Sequence, residues 1–144
     1  MLVDANLLIY AVDETAPDHA RAASWLESQL NGERPVGIPW PSLTAFLRTS
    51  THPRASRDPL EPAATWAFIR DWLAAPAAWV PGPTDRHAEV MGSLVRKYRI
   101  AGNLVADVHL AAIALEHGLT VCSADTDFAR FTEVRWSNPL ADPA

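Results

Sequence analysis

The sequence predicts an α/β fold: a parallel sheet covered by helices. Short apolar runs alternate with stretches of helical periodicity along the whole chain. Two of the apolar runs also end in acids, where open α/β sheets place their chemistry.

The first run, Met1-Leu2-Val3, reads as a strand ending at Asp4. Asn6 to Val12 follows as a short buried helix that either Asp4 or Asn6 can cap, and capping alone would account for Asp4. Pro17 opens a helix to Leu30, with Ala22, Trp25, Leu26, Gln29 and Leu30 at helical spacing and Asn31-Gly32 as its stop. Arg34 to Pro39 supplies a second strand around residues 35 to 39, and Pro41 and Ser42 start a helix through Thr49. The loop from Thr51 to Pro59 carries Pro53, Pro59, Arg54 and Arg57 and should be exposed.

Pro62 begins a helix whose face is Trp66, Ile69, Trp72 and Leu73, a stripe suited to the core or to a subunit contact. Trp79-Val80 is the third strand. Thr84 caps the next helix, which carries Val90, Met91, Leu94, Val95 and Tyr98 and ends in the basic group Arg96, Lys97 and Arg99. Leu104 to His117 is apolar on both faces and therefore central, and Gly118 stops it. Leu119 to Cys122 is a buried strand, and a fifth is expected at 134 to 136.

At 144 residues the chain suits one domain, expected over 1–140 with a short tail at 141–144. Its one cysteine, Cys122, falls inside a strand and reads as a small core residue in a reducing compartment. No signal peptide or membrane-length apolar run is legible, so the cytoplasm is the expected location. A net charge of -5 argues against a broad basic surface for nucleic acid. It leaves room for a nuclease, whose metal-binding acids count in that sum and whose ion reverses the local sign.

Those acids are Asp4, Asp107 within the central helix, and the pair Asp125 and Asp127 after the fourth strand. Asp107 lies beside the stripe Leu104, Val108, Ala111 and Leu115, where a buried charge needs a partner. A hydrogen-bonded first-turn Asp is the plain alternative. His109 and His117 read as polar helix residues outside the acid set. Carboxylates without His or Cys companions suit a hard ion, Mg²⁺ or Mn²⁺, which can activate a water against a phosphodiester. A dehalogenase-type phosphatase would want two acids around one residue at the first strand, and Asp4-Ala5-Asn6 supplies one. A response-regulator receiver would want its acids elsewhere.

Four stretches in order carry a resemblance: Leu2 to Tyr10, Pro39 to Arg48, Gly102 to Ala112, and Ser123 to Phe128 with the closing Asn138-Pro139-Leu140. Together they resemble the PIN-domain ribonuclease toxins of the VapC type. The resemblance implies a Rossmann-like three-layer α/β/α sandwich with a mainly parallel central sheet. It also implies a Mg²⁺-dependent endoribonuclease acting on RNA, held inactive by a cognate antitoxin and forming a homodimer. Carried onto this chain, the metal-binding acids are Asp4 and Asp107 with Asp125 or Asp127, and all four are catalytic. Asn6 and Ser123 would be hydrogen-bonding partners of the ligands, Arg48 would neutralise RNA phosphates, and Thr44 or Ser42 could hold a water at the ion. Many PIN toxins carry a Glu where this chain has Ala45, which implies a rearranged site or a PIN fold that binds RNA or a partner without cutting.

Overall fold

Leu2 and Val3, both fully buried, form the central strand β1 of a five-stranded, all-parallel sheet. The structure is a computed structural model that describes residues 1–142; positions 143 and 144 of the expected tail lie outside the described residues. Helix α1 (Ala5–Val12) follows β1 at once. The chain then runs through α2 (His19–Leu30), β2 (Val36–Gly37), α3 (Trp40–Thr51), α4 (Pro62–Ala74) and β3 (Ala78–Trp79). After α5 (His87–Tyr98) and α6 (Leu104–His117) come β4 (Val121–Cys122), a 3-10 turn at Thr126–Arg130, and β5 (Trp136–Ser137).

Alternation along two-residue strands makes the three layers. Val3 and Cys122 point into one core with Leu7, Leu26, Leu43, Phe46 and Ile69 of α1 to α4. Their neighbours Leu2 and Val121 point the other way, onto Leu94, Val108, Ala112 and Phe128. A strand buried on both faces must be apolar at every position, as these are. The expected α/β/α sandwich is what the chain forms.

Strand order is β3-β2-β1-β4-β5. The chain builds outward from β1 through β2 and β3, then crosses back to place β4 on the other side of β1. The reversal point therefore lies between β1 and β4, and it is in the crevice beyond the carboxyl ends at such a point that open α/β sheets bind their ligands. Register pairs Leu2 with Val121 and Val3 with Cys122, so Asp4 and Ser123 emerge side by side. Gly118, at φ 65, ends α6 in the left-handed conformation that turns the chain into β4.

Several expected boundaries move. Pro17 and Asp18 lie in a turn, and α2 starts at His19. Thr84 is not the cap of α5, which starts at His87; its backbone N–H and hydroxyl both donate to Glu116, at 2.8 and 2.6 Å. The fifth strand lies at Trp136–Ser137, slightly later than expected. Trp66 is not part of the inner face of α4, which is Thr65, Ile69 and Trp72.

Candidate metal centre

The crevice is built on Ser123, fully buried directly after β4. Its hydroxyl donates to Asp4 Oδ2 at 2.7 Å and accepts from Asn6 Nδ2 and from the Asp125 backbone N–H, each at 3.0 Å. Asn6 also reaches Asp4 Oδ2 at 3.3 Å, and its carbonyl accepts from the Ala124 N–H at 3.3 Å. The other Asp4 oxygen accepts from the Ala5 N–H at 2.7 Å, so Asp4 caps α1 as well as facing the crevice. Ser42, in the first turn of α3, donates to the Val3 carbonyl at 2.6 Å and fixes the strand end from the other side.

Asp125 accepts from the Asp127 N–H at 2.8 Å, and this cap sets the 3-10 turn that swings Asp127 back toward its neighbour. Asp107 comes from the first turn of α6. Asp107, Asp125 and Asp127, all half-buried, each offer a carboxylate oxygen within 4.8 Å of the others. Asp4 is outside that trio, its oxygens engaged by Ser123, Asn6 and Ala5. Its charge is still felt there, since it helps raise the pKa of Asp107.

Burial, then the charges of Asp125, Asp4 and Asp127, push the Asp107 carboxyl up to about 6, while Arg130 pulls the other way. Burial likewise holds Asp4 above the usual carboxylate range and Asp125 adds to it, against hydrogen bonds from Ser123 and Ala5. Acids at this spacing repel when ionised, and a divalent cation relieves the repulsion.

Thr44 and Arg48 are both exposed on α3. The Thr44 hydroxyl donates to the Trp40 carbonyl at 2.9 Å, a helix-internal bond. Ala45 is half-buried beside them, in a groove that it shares with Ala106 of α6. Sequence reasoning missed Arg130, which pairs with Asp127 Oδ1 at 3.2 Å and bonds the Asp127 carbonyl at 3.2 Å. Its spacing of three from Asp127 was the available signal, but that spacing matters only once a helical turn is known to be there. His109, expected as an ordinary polar helix residue, packs its ring 5.1 Å from that of His87 and leaves Nε2 enclosed without a partner.

The family model described as PIN domain matches residues 1–134. Ribonuclease VapC37 of Mycobacterium tuberculosis is 42% identical over 140 residues, covering 97% of each chain. Ribonuclease VapC33 of the same species is 37% identical over 142 residues, covering 99% of each. Among solved structures, VapBC2 from Rickettsia felis, bound to a DNA fragment from their promoter, superposes with a TM-score of 0.65. It covers 95% of this chain and 96% of its own at 16% identity, a likeness of fold.

Proposed function

The chain belongs to the PIN-domain family, among its VapC ribonucleases, and from that premise we propose that it is a Mg²⁺- or Mn²⁺-dependent endoribonuclease. It acts on RNA in the cytoplasm as the toxin of a toxin–antitoxin pair, working as a homodimer that a cognate antitoxin silences. The names of the relatives and the likeness to VapBC2 support the toxin reading. Among the described residues no helix is long and apolar enough to cross a membrane.

One observation carries the chemistry: the carboxylate oxygens of Asp107, Asp125 and Asp127 lie within 4.8 Å of one another. An all-oxygen, strongly anionic set fits a hard divalent ion and suits neither zinc nor copper. Asp107, Asp125 and Asp127 would hold the ion, with Asp4 adding charge at the edge. When bound, the ion supplies Lewis acidity toward a phosphoryl oxygen and lowers the pKa of water. The protein does the positioning. Ser123 and Asn6 keep Asp4 turned into the crevice, and the cap between Asp125 and the Asp127 N–H keeps the late acids together. Arg48, exposed on α3, neutralises the RNA backbone.

RNA incubated with Mg²⁺ or Mn²⁺ tests the reading, comparing wild type with Asp4→Asn and Asp107→Asn. The expected loss is about 100-fold or more for Asp107→Asn. Equal rates in all three proteins overturn the assignment. A non-cleaving module is the second reading, motivated by Ala45. It requires that millimolar Mg²⁺ and Mn²⁺ fail to bind while RNA binding survives. The close approach of three acids without any contribution from position 45 favours the enzyme.

A further inference from the structure

Beside the acids, between α3 and α6, runs a groove of about 760 Å³ whose lining includes Trp40, Thr44, Ala45, Arg48, Ala106 and His109. Ala106 immediately precedes Asp107, so the wall of the groove leads into the metal centre. Trp40 is 46% exposed and lies against Trp66, also 46% exposed, with ring centroids 6.4 Å apart and planes 15° from parallel. Two near-parallel indoles left open at the edge of a catalytic crevice present flat apolar surface to a further ring.

The polar lining has spare capacity. Arg48 makes no ion pair among the described residues. Single-stranded RNA presents a flat base, a hydroxyl-bearing sugar and an anionic phosphate in repeating order. The groove offers an indole, polar side chains and a guanidinium within one span. An apolar helix from another protein would cover the tryptophans and leave Arg48 without an acid.

We infer that this groove is a substrate subsite that takes one unpaired nucleobase of the RNA next to the cut position, stacked on Trp40, with Arg48 on the adjoining phosphate. The inference rests on the ribonuclease reading and deepens it. Stacking tolerates every base but requires the base to be splayed out, so the subsite selects single-stranded segments over paired ones.

The test measures binding of a fluorescein-labelled single-stranded RNA, spanning a cut site mapped with the wild type, to full-length Asp107→Asn protein. Trp40→Ala on that background weakens binding about 10-fold, and Trp40→Phe stays within about 2-fold. Replacing one nucleotide beside the cut with an abasic residue abolishes the Trp40→Ala penalty. No penalty, or an equal penalty on abasic and intact RNA at every position, overturns the subsite. So does light scattering that shows Trp40→Ala as a monomer where the wild type is a dimer, since the indole would then be a subunit contact. Cleavage by the wild type without coupling at Trp40 sinks the subsite alone. A wild type that neither cuts nor binds RNA sinks the ribonuclease reading and takes the subsite with it.

Discussion

The Ser123 hydroxyl donates to Asp4 Oδ2 at 2.7 Å across 119 positions of sequence, joining the ends of the two central strands. Parallel register makes the meeting unavoidable, because Val3 pairs with Cys122 one residue earlier. Ser123→Ala removes this donor and leaves a mostly buried carboxylate short of a partner. The expected cost is about 2 kcal/mol, seen as a melting temperature lower by about 6 °C. The Asp4 pKa, which the Ser123 bond lowers, moves further up. An unchanged melting temperature would mean that the hydrogen bond is replaced by solvent.

Asp107 makes the ion-free protein sensitive to pH. Its carboxyl sits at about 6 against an ordinary 3.8, through burial first and neighbouring acids second. A raised native pKa means that the folded state binds the proton more tightly than the unfolded chain does. Stability therefore falls as pH rises from 3.8 to about 6 and stays reduced above that. Urea titrations in chelator should show the fall in wild type and a flatter profile in Asp107→Asn, with the variant the more stable protein at neutral pH. Millimolar Mg²⁺ should then raise the melting temperature of the wild type alone. A variant stabilised as much as the wild type by the ion would remove Asp107 from the metal set.

Arg130 pairs with Asp127, and its charge lowers the pKa of Asp107. Arg130→Ala should move the pH midpoint of metal-dependent cleavage upward, with Arg130→Lys in between, and the difference should shrink in high salt because the side chain is partly exposed. A midpoint that stays put would leave Arg130 as a surface partner of Asp127 and nothing more.

How much of this was legible in the sequence depends on the range of the interaction involved. The strands were legible because burial on both faces makes Leu2, Val3, Val121 and Cys122 apolar in succession. Acids at strand ends could be picked out for the same reason. Thr84 reads as a cap because helix-cap patterns look only at neighbours, whereas its partner Glu116 is 32 positions away. Spacing alone puts Trp66 in a face with Ile69 and Trp72, but Thr65 takes the inward position and Trp66 turns out to Trp40. The closeness of Asp127 to Asp107 was out of reach, since it depends on a 3-10 turn that Asp125 caps. Among the acids, side-chain spacing in sequence could propose a cluster but could not choose its members.

Gly37 sets the spacing of the sheet next to the strand that delivers Asp4. A Cβ there would lie 2.9 Å from the Met1 carbonyl oxygen and 2.9 Å from Pro81 Cγ. The carbonyl cannot retreat freely, because it accepts the Gly37 N–H at 2.9 Å within the ladder. Gly37→Ala should therefore cost about 2 to 3 kcal/mol, read as a melting temperature lower by about 6 to 9 °C. Gly82→Ala is the matched control, since a Cβ at that position meets nothing within 4 Å. It should change stability by less than about 0.5 kcal/mol. Equal losses in the two variants would free the β1–β2 contact from any part in holding Asp4. A loss confined to Gly37→Ala, with weaker Mg²⁺ binding at a temperature where the variant is still folded, would show that strand spacing reaches the metal centre through the end of β1.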